Sequence, residues 1–173
     1  KHAFAVANGT AALHIAYAAL GIGPGDEVVQ PSMSFVAAAN MTAALGARPV
    51  FADIVSLDEP TIDPAAIEAA ITPATRAIVV MHYGGYACRM KEIMEIAGRH
   101  RLPVVEDACH APAQRVPALD NRALGALGAI GCFSFFSNKN MTCGEGGMVV
   151  TDDDALADQI KALRSHGMTT LSW

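Results

Sequence analysis

Ala77-Ile78-Val79-Val80-Met81 is an unbroken apolar run, as a strand buried on both faces requires. A helix over about 89–100 follows it, with Met90, Ile93, Met94 and Ala97 on one stripe. Leu102-Pro103-Val104-Val105-Glu106 then reads as a second strand, 102–106. A strand, a helix and a strand in this order predict parallel strands joined by a right-handed crossover.

Working outward, the same alternation continues. Toward the N-terminus, the chain opens almost inside an apolar strand, Lys1 to Val6, and Thr10 to Leu20 reads as an Ala- and Leu-rich helix closed by Gly21 to Gly25 with Pro24. A strand over 27–30, a helix over 34–45 ending at Gly46, and a strand over 48–52 come next. Pro64 to Ile71 reads as a helix with Asp63 as N-cap and Pro64 in its first position. Toward the C-terminus, strands over 130–135 and 147–151 precede a helix starting near Asp153, and 113–128 is the one long Gly- and Pro-punctuated loop. The expected fold is α/β, a three-layer, mainly parallel sheet with helices on both faces. Ligands of such sheets bind beyond the carboxyl ends of the strands.

Composition agrees with a buried sheet. The 173 residues are 52% hydrophobic and 17% charged, with a mean hydropathy of +0.30, enough for one domain with a single core. Apolar runs stay far below the roughly 18 residues that span a bilayer. The start of the chain lacks the long apolar core and cleavage pattern of a signal peptide. A net charge of −5 with scattered basic residues speaks against a nucleic-acid surface. Cys88, Cys109, Cys132 and Cys143 form no Cys-x-x-Cys pair and no metal-type spacing, so reduced, mostly buried thiols and a cytoplasmic location are expected. The abrupt start and the end at Trp173 lead us to expect part of a longer protein.

Three places carry candidate chemistry. Asn8-Gly9-Thr10 precedes the first helix; it is either an anion site of free amides and a hydroxyl or a plain cap by Asn8 or Thr10. Neither a Walker loop nor a Gly-x-Gly-x-x-Gly fingerprint is present there. Asp107 ends the strand 102–106, where it either faces the crevice or caps the next short helix, and His110 lies three residues on, a ligand contact or a structural hydrogen-bonding group. Lys139, one of only four lysines, stands between two asparagines after the aromatic strand carrying Ser134 and before Gly144-Glu145-Gly146-Gly147. It is either a surface lysine or one desolvated in a crevice, where its amine would become a nucleophile toward aldehydes. Jointly these pieces meet the needs of pyridoxal phosphate (PLP): amides and hydroxyls for the phosphate, a carboxylate for the ring nitrogen, and an amine for the aldehyde.

With Asn8-Gly9-Thr10-Ala11-Ala12-Leu13, Gly25-Asp26-Glu27-Val28, Pro31-Ser32-Met33-Ser34-Phe35, His82-Tyr83-Gly84-Gly85, Glu106-Asp107-Ala108-Cys109-His110-Ala111 and Lys139-Asn140 in this order, the chain resembles the DegT/StrS-type family of PLP-dependent aminotransferases of fold type I, over essentially its whole length. The resemblance implies a large PLP-binding domain whose N-terminal segment and smaller C-terminal domain lie outside these residues. It implies roles by position: Gly9, Thr10 and Ser134 on the phosphate, Phe35 stacked on the ring, Asp107 on the ring nitrogen, His110 near the phenolic oxygen, and Lys139 as the Schiff-base residue. Lysine rather than histidine at 139 favours transamination over dehydration within the family. The implied reaction moves an amino group, typically from glutamate, to a nucleotide-linked keto-deoxysugar, in a homodimer. The alternatives are a non-sugar keto substrate and a non-catalytic PLP-binding module.

Overall fold

The computed structural model describes residues 1–168, and Trp173 lies outside them. Strands β1 (His2–Val6), β2 (Glu27–Pro31), β3 (Arg48–Ala52), β4 (Thr75–Met81), β5 (Val104–Asp107), β8 (Ile130–Ser134) and β9 (Gly147–Thr151) form one sheet in the order β1-β9-β8-β5-β4-β2-β3. The pairings from β8 through β5, β4 and β2 to β3 are all parallel, while β9 runs antiparallel to both β8 and β1. The mainly parallel sheet expected from the strand–helix alternation is therefore present, with a reversed strand near one edge.

Side-chain alternation along the strands builds two cores. Val28, Val79, Val105, Ile130 and Val149 face helices α1 (Gly9–Ala19), α2 (Ala37–Ala44) and α5 (Asp154–Arg164). Val29, Ile78, Val80 and Val104 face the other way, toward α3 (Pro64–Ala70) and α4 (Met90–His100). Local signals start the helices: Asp63 accepts the Ala65 amide at 3.0 Å with Pro64 at the first position, and Asp153 accepts two amides, from Ala155 and Leu156.

Several details differ from the expectation, among them the strand read over 102–106, which runs from Val104 to Asp107. The apolar stripe of α4 is Met90, Ile93, Ile96 and Ala97, while Met94 is 38% exposed; Ile96 continues from Ile93 at a spacing of three and takes the inward position. Helix α2 begins at Ala37 instead of residue 34, because Ser34 and Phe35 are held in the preceding turn, where both bond the Met81 sulfur. The segment 113–128 is not a plain loop: β6 (Arg115–Val116) and β7 (Arg122–Ala123) pair as a small antiparallel ribbon. Asp120 and Asn121 turn it, both in the left-handed region that these two residue types tolerate best.

Candidate active site

The carboxyl ends of β5 and β8 and the N-terminus of α1 enclose a cavity of about 400 Å³, a size typical of small-molecule and cofactor sites. All seven candidate residues line it: Gly9, Thr10, Phe35, Asp107, His110, Ser134 and Lys139.

At α1 the N-cap is Asn8, whose Oδ1 accepts the Ala11 amide at 2.9 Å, so Thr10 is left out of the cap. The first intrahelical bond runs from the Ala12 amide to the Asn8 carbonyl, so the amides of Gly9 and Thr10 fall among the unpaired donors of a helix start. They lie at the positive end of the helix dipole, where an anion is favoured. Gly9 has no room for a side chain: a Cβ there would stand 2.9 Å from the Ser134 Cβ and 3.0 Å from the Cys109 Sγ. Ser134 is buried, and its Oγ accepts the Phe136 amide at 3.4 Å, leaving its own proton to donate.

Asp107 meets both alternatives at once. Its Oδ1 accepts the Cys109 amide at 3.1 Å, as a turn cap does, and its side chain, 2% exposed, also borders the cavity. One hydrogen bond leaves most of the acceptor capacity of a carboxylate free for a ligand N–H. His110 packs edge-on against Tyr83 at 5.8 Å, and its Nδ1 accepts the Gly84 amide at 3.2 Å. That contact places the ring proton on Nε2. Burial lowers the His110 pKa below the ordinary 6.5, the positive charge of Lys139 lowers it further, and Asp107 opposes both. The ring is neutral at pH 7, a donor through Nε2.

Lys139 follows β8 in a turn closed by its amide on the Phe136 carbonyl at 3.0 Å. Its Nζ lies 5.9 Å from the centre of the Phe35 ring, within cation–π range, and forms no ion pair among the described residues. Phe35 itself is 58% exposed and forms a flat apolar wall. Burial raises the pKa of the Cys109 thiol far above its ordinary value, helped by Asp107; it is a neutral thiol, not a nucleophile. Cys88 and Cys132 are buried as well, and Cys143 is exposed.

The donor set fits PLP: amides and a hydroxyl for a phosphate, a buried carboxylate for a ring nitrogen, an aromatic face, and an amine free of ion pairs. Among the described residues no cluster of His, Cys, Asp and Glu could hold a metal ion, and no helix is long and apolar enough to cross a membrane. Two further groups escaped the sequence reading. Glu145 also lines the cavity, and its place in a Gly-rich motif was the only sign of it. Glu106 is wholly buried behind β5; a charged residue inside an apolar strand was the available signal.

Comparison with known proteins points the same way. The profile of the DegT/DnrJ/EryC1/StrS aminotransferase family matches residues 1–173. The spore coat polysaccharide biosynthesis protein SpsC of Bacillus subtilis (strain 168) is 48% identical over 175 residues, covering 100% of this chain and 43% of SpsC. DesV of S. venezuelae, solved in complex with a ketimine intermediate, superposes with a TM-score of 0.92 at 42% identity, over 99% of this chain and 45% of DesV. DesI, solved in the presence of its TDP-sugar product, superposes with a TM-score of 0.89 at 39% identity, over 96% of this chain and 41% of DesI. The chain thus spans less than half the length of these relatives.

Proposed function

The chain belongs to the DegT/DnrJ/EryC1/StrS aminotransferase family, which is PLP-dependent, and from that premise we propose that it is the cofactor-binding large domain of an enzyme that aminates a nucleotide-linked keto-deoxysugar with glutamate as donor. The observation that carries the reading is the convergence of Gly9, Thr10, Asp107 and Lys139 on one cavity. PLP, when bound, supplies the electron sink that stabilises negative charge at the donor's Cα.

The residues of this chain would supply the rest. The amides of Gly9 and Thr10 and the Ser134 hydroxyl hold the phosphate and so fix the depth of the ring. Phe35 covers one face of the ring, orients it and excludes water from that face. Asp107, acting as an anion, keeps a proton on the ring nitrogen. His110, neutral with its proton on Nε2, donates to the phenolic oxygen. The Lys139 Nζ anchors the cofactor and, once released, takes the proton from Cα and returns it on the other side of the transfer. SpsC as a polysaccharide biosynthesis protein and DesI with a TDP-sugar product support a sugar nucleotide as acceptor. The remainder of the sugar site belongs to residues beyond this chain, within a cytoplasmic homodimer.

The test uses full-length protein. Borohydride reduction after PLP loading, followed by peptide mass mapping, places the label on Lys139; label on Lys91 or Lys161 overturns the assignment. Incubation with glutamate and a panel of nucleotide keto-sugars then yields an amino sugar. Amination of non-sugar keto compounds alone would instead select a different acceptor class.

A further inference from the structure

Glu106 and Asp107 are neighbours on β5, so their side chains leave opposite faces of the sheet. Asp107 borders the cavity; Glu106 lies behind it with no solvent exposure. Both Glu106 oxygens are saturated: Oε2 accepts the His82 Nε2–H at 2.9 Å and the Gly125 amide at 2.8 Å, and Oε1 accepts the amides of Leu127 and Gly128, each at 2.6 Å. The His82 Nδ1 accepts the Cys88 amide at 3.2 Å, which puts the ring proton on Nε2, facing Glu106. A carboxylate with these donors joins the end of β4, the end of β5 and the turn before β8 at a single point.

His82 also reaches the cavity through the backbone. Its amide bonds the Asp107 carbonyl at 3.1 Å, and its carbonyl closes the Tyr83–Gly85 turn by accepting the Gly85 amide at 3.0 Å. Inside that turn, the Gly84 amide is the group that sets the His110 tautomer.

We propose that Glu106 and His82 form a positioning pair, placed on the far side of the sheet, that holds Asp107 in register and keeps His110 with its proton on Nε2. The consequence for catalysis rests on the cofactor reading above; the geometry does not. Neither Glu106 nor His82 lines the cavity, and the pair acts only through the two cavity residues.

The test compares full-length protein with Glu106→Gln and with His82→Leu; the second removes one donor to the carboxylate and the acceptor of the Cys88 amide but leaves three backbone amides on the carboxylate, so it serves as the second variant if the first fails to fold. Without cofactor, the imidazole 15N shifts of His110 show a single Nε2–H tautomer in the unaltered protein and a mixture in the variants. With cofactor, the Kd for PLP rises about tenfold, by analogy with the loss in metal affinity when partners orienting metal ligands are removed, and the pH midpoint of the bound cofactor's visible band moves. Unchanged His110 shifts and an unchanged band in a folded variant, even one with a lowered Tm, overturn the proposal and leave the pair a purely structural tie. Should the unaltered protein bind no PLP, the cofactor reading fails, and the His110 shifts still decide the positioning claim.

Discussion

Asp107 and Asn8 differ in a way that shows how a single side chain is committed. Asn8 spends its carbonyl oxygen on the Ala11 amide and acts as a cap. Asp107 makes a comparable bond to the Cys109 amide through one oxygen, and a carboxyl group has a second oxygen left for a ligand. Asp107→Asn retains an acceptor for Cys109, so the fold and cofactor attachment at Lys139 survive. A neutral amide cannot hold the proton on the ring nitrogen, and the glutamate half-reaction falls by orders of magnitude in single-turnover measurements. Half-reaction rates equal to those of the unaltered protein would refute the role. Which member of Asn8-Gly9-Thr10 caps the helix was open in the sequence, because both asparagine and threonine are good caps; the hydrogen bond alone decides it.

Among the elements, α1 brings its N-terminal amides to the cavity, where we propose that they hold the phosphate. Its interior is Ala-rich with Leu13 and Tyr17 wholly buried, so tertiary packing holds the helix body and the cap governs chiefly its first turn. Asn8→Ala therefore costs about 1 kcal/mol, the usual loss for a capping side chain, measured as a shift of the urea midpoint. It also weakens PLP binding, because the first-turn amides lose their fixed direction; an unaltered Kd would separate the cap from the cradle. The segment 113–128 was the least legible element. Its strands are two residues each, too short for any periodic signal, and its value lies in the turn that follows, where Gly125, Leu127 and Gly128 deliver amides to Glu106. The glycine at 131 is needed there for closeness, since a Cβ would fall 1.8 Å from the Gly125 carbonyl oxygen.

For the molecule as a whole, the buried Glu106 and the half-buried His110 both contribute to its response to acid. Burial alone raises the Glu106 pKa, but the hydrogen bond from His82 and the amides of Gly128 and Gly125 outweigh it and hold the group below the ordinary 4.5. A depressed carboxyl contributes stability that is present above the unfolded value and lost as pH falls through the folded one. His110, also depressed, takes up its proton more readily in the unfolded chain, so stability begins to fall once pH drops below about 6.5. Denaturant midpoints of the full-length protein should therefore decline in two stages on acidification, the first below 6.5 and the second below 4.5. Glu106→Gln should shrink only the second; a second stage of unchanged size in that variant would show that the ion-paired carboxylates Glu27, Glu59, Glu68, Asp152 and Asp154 carry it.

The local order of the sequence determined the alternation of strands and helices, the α/β class and the family. Each of these depends on hydrophobic period, on turn residues and on short motifs that neighbours along the chain supply. Asp107, Ser134 and Lys139 were legible for the same reason, since the first two end a recognisable strand and Lys139 stands in the turn just after one. Only the tertiary structure decided the strand order, the apposition of Phe35 with Lys139 and the pairing of Glu106 with His82. Those contacts join residues far apart in the chain, and the partner of a buried polar group is chosen by which strands lie side by side. Hydrophobic period records which face of a strand is buried and nothing about which strand comes next to it.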